Sequence, residues 1–106
     1  MDMEITPADT AKLMKTSSNV KFLDVRTPEE YAIAKIEGCV LVDQQLAQTI
    51  LETWPKDTHI ITICHHGMRS LNAASFLRAN GFDNTQSMSG GIEAWSLTVD
   101  PSVPRY

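Results

Sequence analysis

The segment Cys64-His65-His66-Gly67-Met68-Arg69-Ser70 sets a nucleophile, two imidazoles, a glycine and a permanent cation within seven consecutive residues. It follows His59-Ile60-Ile61-Thr62-Ile63, the most β-branched run in the chain, and it precedes a stretch with helical spacing. A strand, a tight loop and a helix start can collect backbone N–H groups around one point. The first helical turn leaves those groups unpaired and carries a partial positive charge. Gly67 permits a left-handed turn inside the loop. A cysteine at the centre of such a ring is drawn toward its thiolate, because the donors stabilise the charged form. Arg69 adds a fixed cation suited to an oxyanion. A buried inert thiol is the alternative fate for Cys64, but an inert core cysteine has no need of a glycine loop, a helix start and an arginine. The residues by themselves leave the atom attacked open between sulfur and phosphorus.

The elements that must hold this loop alternate between strand and helix. Thr6-Pro7-Ala8-Asp9 reads as a helix start with Thr6 as N-cap and Pro7 at the first helical position, and Leu13 and Met14 face the core. Lys21-Phe22-Leu23-Asp24-Val25 reads as a buried strand. Thr27 and Glu30 form a capping box for a helix running through Ala34. Glu37-Gly38 is a turn, and Cys39-Val40-Leu41-Val42 a second apolar strand. Leu46, Ile50, Leu51 and Trp54 are spaced as a helix that Pro55 ends. His59–Ile63 is the central strand, Ser70–Asn80 a helix closed by Gly81, Thr85–Met88 a last strand, and Ile92–Leu97 a final helix after Gly90-Gly91. Asp100–Tyr106 is a tail. Short apolar strands between helices predict an α/β fold with a mainly parallel sheet covered on both faces. Ligands in such folds sit beyond the C-terminal strand ends, where Cys64 lies.

Length and composition bound the function. A chain of 106 residues with 42% hydrophobic content suits one compact domain. The net charge of -4 argues against a broad nucleic-acid face, which needs clustered Lys and Arg. The beginning Met1-Asp2-Met3-Glu4 is acidic and unlike an export signal, and no apolar stretch reaches the roughly 20 residues that span a bilayer. The expectation is a cytoplasmic protein, with no membrane partner and with Cys39 and Cys64 as separate reduced thiols.

Three segments resemble the single-domain rhodaneses, the sulfurtransferase family. Leu23-Asp24-Val25-Arg26-Thr27-Pro28-Glu29-Glu30-Tyr31 resembles the family's D-V-R-x-x-x-E-[FY] segment. Cys64 to Ser70 resembles its C-x-x-G-x-R-S active-site loop. Ser89-Gly90-Gly91-Ile92-Glu93-Ala94-Trp95 resembles its G-G-[IMV]-x-x-W segment. The resemblance spans nearly the whole chain and implies one domain over residues 1–106, a three-layer α/β/α fold with a mainly parallel sheet of about five strands. The sequence departs from the family in Ala34-Lys35-Ile36-Glu37-Gly38-Cys39. Many members there read G-H-I-P-G-A, so that Lys35, Glu37 and Cys39 replace the usual His, Pro and Ala.

The resemblance implies covalent catalysis through a persulfide. Cys64 takes the outer sulfur of a donor such as thiosulfate, and a thiophilic acceptor (cyanide, a thiol or a sulfur-carrier protein) removes it. The loop residues His65, His66, Gly67, Met68, Arg69 and Ser70 bind the substrate, with Arg69 on the donor's oxyanion and Met68 as an apolar wall. Asp24 and Arg26 support the site as a buried pair. No cofactor is implied, and the default state is a monomer. A zinc site from Cys64, His65 and His66 is disfavoured, because adjacent ligands do not readily share one tetrahedron. The two histidines chiefly supply backbone, Trp54 and Trp95 pack, and Lys35 and Arg78 are surface charges. Cys39 reads as a small residue at a buried strand rather than as a partner of Cys64. Two other functions compete. A Cys-dependent phosphatase or arsenate reductase places one residue more between its Cys and Arg than the four found between Cys64 and Arg69. A persulfide-relay or redox-sensing module would share every motif and differ only in turnover.

Overall fold

A computed structural model describes residues 2–106. The elements run β1 (Glu4–Ile5), α1 (Pro7–Thr16), β2 (Val20–Asp24), α2 (Pro28–Ile33), β3 (Val40–Leu41), α3 (Gln44–Thr53), β4 (His59–Ile63), α4 (Met68–Ala79), β5 (Thr85–Met88) and α5 (Gly91–Thr98). The five strands form one parallel sheet in the order β1-β5-β4-β2-β3, which puts the β-branched β4 in the middle. Its alternating side chains feed two cores. Ile61 and Ile63 join Phe22, Met88, Ile92 and Trp95 on one face, with Leu13 and Met14 of α1 packed against them. Ile60 joins Leu23, Ile50, Leu77 and Phe82 on the other, under α3 and α4. A strand buried on both faces must be apolar, and β4 is, apart from the half-buried His59 at its start and Thr62, whose hydroxyl donates to Ser70 O at 2.7 Å.

The local signals explain most element boundaries. Thr6 accepts from Asp9 N–H at 3.1 Å, and Thr27 and Glu30 complete a reciprocal capping box. Three elements differ notably from the sequence reading. β1 is not among the expected strands: two residues are too few for alternation to show, and it exists because β5 accepts it as a parallel edge partner. The strand expected over residues 39–42 shrinks to Val40–Leu41, with Val40 54% exposed, because β3 is the opposite edge of the sheet. α4 starts at Met68 rather than Ser70. Gly67 turns the chain left-handed at φ 101° and lets the helix begin at once. No helix among the described residues is long and apolar enough to cross a membrane.

α3 carries a cap that its apolar spacing does not reveal: the Asp43 carboxylate accepts from Leu46 N–H at 2.7 Å. Replacing Asp43 by Ala is expected to cost about 1 kcal/mol in urea unfolding without altering the Cys64 loop.

Candidate active site

Cys64 directly follows β4 and is 1% exposed. Its Sγ accepts the Gly67 N–H at 3.0 Å and lies 3.3 Å from Ser70 Oγ. Ser70 Oγ is in turn 3.2 Å from Gly67 O and 2.7 Å from Ser87 Oγ on β5. A buried chain of hydroxyls thus runs beneath the sulfur. A thiol donates to Ser70, and once the proton is gone the Ser70 hydroxyl can turn to donate to the sulfur instead. The loop is closed from the far side by the start of α5. Ile92 N–H donates to Cys64 O at 2.8 Å and Glu93 N–H to His65 O at 3.1 Å. That approach explains the paired glycines. Gly90 and Gly91 have φ of 73° and 62°, and a Cβ on Gly91 would overlap the carbonyls of both Cys64 and His65.

Asp24 and Arg26 form a buried pair at the C-terminal end of β2, with 1% and 4% exposure. Arg26 Nη2 donates to Asp24 Oδ2 at 2.6 Å and to Ala34 O at 2.6 Å, while Nη1 reaches Glu30 O and Tyr106 Oη at 3.3 and 2.9 Å. The hydrogen bonds to Asp24 and Tyr106 hold this guanidinium in its charged form despite its burial, with its pKa above the ordinary value. Arg69, exposed at the first turn of α4, does not project freely. Its two Nη atoms donate to the Glu30 carboxylate at 2.6 and 2.9 Å. Those bonds, with help from the Tyr106 hydroxyl and the Thr27 N–H, hold the Glu30 carboxyl well below the usual carboxylate range. A depressed carboxylate contributes its pairing above its ordinary pKa and loses it only in strong acid, so the Glu30–Arg69 clamp persists across all mild pH.

His65 lies between His66 and Tyr106, with ring centroids 3.8 and 3.9 Å away. Burial, with the charge of His66 second, lowers its pKa and favours the neutral ring. Glu93 and the two histidines bring one donor atom each within 4.8 Å of one another, and this group does not include Cys64. The two imidazole planes are 23° from parallel, so their in-plane lone pairs do not converge on one ion, and Glu93 is held by Arg105 Nε at 2.7 Å.

Met68 departs from its expected place. It is 70% exposed rather than packed against the loop. At about 100° per residue it stands roughly 200° around α4 from Ser70, on the face opposite the buried side. Cys39 is buried and free, and burial pushes its thiol up to about 12. Among the described residues an apolar cleft between α3, α4 and the sheet, lined by Ile50, Phe76 and Leu77 among others, has no titratable side chain in its wall. The chemistry-bearing groups gather at Cys64 instead. Glu30 and Tyr106 are the participants that sequence reasoning missed. Glu30 was accounted for by its cap, and Tyr106 stands in a tail with no periodic pattern.

Comparison with known proteins gives the family. The sequence matches the Rhodanese-like domain family over residues 6–98. The chain belongs to the rhodanese-like domain family. Among its relatives, a thiosulfate sulfurtransferase GlpE of Actinobacillus succinogenes is 34% identical over 97% of this chain and 92% of its own. The GlpE of Pseudoalteromonas translucida is 35% identical over 95% of each. The crystal structure of a rhodanese-like domain protein from Staphylococcus aureus superposes with a TM-score of 0.78 at 27% identity, covering 99% of both chains. The five-stranded parallel sheet and its flanking helices are thus the rhodanese fold.

Two variants test the packing of this rhodanese site. Asp24→Ala leaves Arg26 buried without a counter-charge and should lower the unfolding free energy by roughly 3–5 kcal/mol in a denaturant titration. Gly91→Ala forces a side chain into a left-handed position, which alone costs about 1–2 kcal/mol. Its overlap with the Cys64 carbonyl should show in a shift of the loop amide resonances.

Proposed function

We propose that this protein is a sulfurtransferase that carries a sulfane sulfur on Cys64. The observation that supports this best is the contact of Cys64 Sγ with the Gly67 N–H at 3.0 Å inside a closed loop. A donor placed there serves a thiolate before reaction and a persulfide anion after it. The thiolate attacks the outer sulfur of a donor such as thiosulfate. The bond between the two donor sulfurs breaks, sulfite leaves with the electron pair, and Cys64 keeps the transferred sulfur as a persulfide. A thiol or a sulfur-carrier protein then takes that sulfur and returns the Cys64 thiolate. Arg69 still has N–H groups that Glu30 does not use, and these orient the donor's oxygens. The relatives named as thiosulfate sulfurtransferases support the same chemistry. The loop also has four residues between Cys64 and Arg69, which favours a single sulfur over the larger phosphoryl group. Cys39, buried and with its thiol pKa raised, is not a second nucleophile in this reading.

Intact-mass spectrometry after incubation with thiosulfate tests the proposal. The protein should gain one sulfur atom, and Cys64→Ser should gain none. Equal gain by both, or by neither, would exclude Cys64 as the carrier for this donor. Arg69→Ala should load sulfur on the order of tenfold more slowly, with its thermal unfolding midpoint shifted by only a few degrees.

A further inference from the structure

Arg69 is the permanent cation of the loop, and it is already neutralised. Both of its Nη atoms hold the Glu30 carboxylate. Glu30 is not a loose partner that a substrate could easily displace. Its Oε1 also accepts from Thr27 N–H at 3.2 Å, which is half of the α2 capping box. Its Oε2 accepts from the Tyr106 hydroxyl at 2.7 Å. Tyr106 is itself fixed, because Arg26 donates to its oxygen and its ring stacks on His65. Swinging Glu30 away from Arg69 would break a helix cap and a tyrosine contact together.

The other arginines around the loop are cancelled in the same way, Arg26 by Asp24 and Arg105 by Glu93. The chain as a whole carries -4. A dianion arriving at this mouth meets hydrogen-bond donors but no net positive charge. It surrenders hydration without forming an ion pair, whereas a donor of lower charge surrenders less.

We propose that Glu30 is a specificity-determining residue: by masking Arg69 it selects sulfur donors of low charge, such as persulfides and thiosulfonate monoanions, over the dianion thiosulfate. This rests on the sulfur-transfer reading of Cys64. It assigns Glu30 a positioning role, acting through Arg69, with no bond to the reacting atoms.

Thiosulfate and methanethiosulfonate anion form a matched pair of probes. In each, the Cys64 thiolate attacks the sulfane sulfur and the bond from that sulfur to the oxidised sulfur breaks. Sulfite leaves in one case and methanesulfinate in the other, and Cys64 becomes a persulfide anion. The two donors differ by one unit of charge. The experiment measures kcat and KM for both donors with cyanide as acceptor, in wild type and in Glu30→Gln, at low and high salt. The Gln variant should improve kcat/KM for thiosulfate at least about fivefold over that for methanethiosulfonate, mainly through KM, because the freed guanidinium now pairs with the dianion. In wild type, raising the ionic strength should leave thiosulfate turnover unchanged or increase it. In the variant it should decrease it, as screening weakens an exposed attraction.

An unchanged or reversed donor ratio in the variant overturns the proposal. So does a severalfold loss of wild-type thiosulfate turnover with salt, a measurement that does not depend on the variant folding. Transfer from neither donor by wild type would overturn the sulfur-transfer reading together with this one, whereas transfer with an unaltered ratio removes the role of Glu30 alone.

Discussion

The buried guanidinium of Arg26 is the interaction on which the rest of this structure depends. It lies just past β2 and binds a carboxylate of that strand, the carbonyls of Glu30 within α2 and of Ala34 just after it, and the hydroxyl of Tyr106. A charge held at 4% exposure is tolerable only with such complete partnering, because each missing bond would leave an unsatisfied ion in low dielectric. The requirement therefore fixes the path of the segment from Arg26 to Ala34. That path presents the Glu30 carboxylate to Arg69. The orientation of an exposed cation in the loop is thus set by the solvation needs of a buried one.

The second constraint is steric. The Cys64 loop and the start of α5 meet backbone to backbone, with no side chains between them. Such contact is open to glycine alone, and it converts two of the loop's carbonyls from unpaired groups into acceptors for the first turn of a helix. On the inner side of the loop the Gly67 N–H meets the Cys64 sulfur. Hydrogen bonds between backbones join the loop to α5, while Ile92 and Trp95 anchor that helix in the core.

How much of this could be read from the sequence depended on the range of the interaction. The central strand, the two capped helices beginning at Pro7 and Pro28, and the loop at Cys64 were legible because each is encoded within a few residues: β-branching in His59–Ile63, Thr-Pro at two helix starts, Gly67 at a turn. The buried Asp24–Arg26 pair was legible through the resemblance of its segment to a family motif. The role of Glu30 toward Arg69 was hidden, because the same carboxylate fully satisfies a local signal and its second partner lies 39 positions away. Tyr106 was hidden for the same reason, with 80 positions separating it from Arg26. Met68 was misplaced because a residue beside a nucleophile suggests a pocket wall, whereas the left-handed turn at Gly67 places it on the outer face of a new helix.

The strand order has a kinetic consequence. β1, near the start of the chain, pairs with β5 near its end, and the loop carbonyls of Cys64 and His65 are bound by residues 92 and 93. The β1–β5 pairing, which joins Glu4 to Ser87, has a longer sequence separation than the β2–β4 pairing and forms after it and after the local helices. As the chain leaves a ribosome, Cys64 is synthesised before the residues of α5 that bind its loop. Until the final helix docks, the carbonyls of Cys64 and His65 lack the N–H donors that close the loop from the far side, while the sulfur already has its local partners Gly67 and Ser70 within reach.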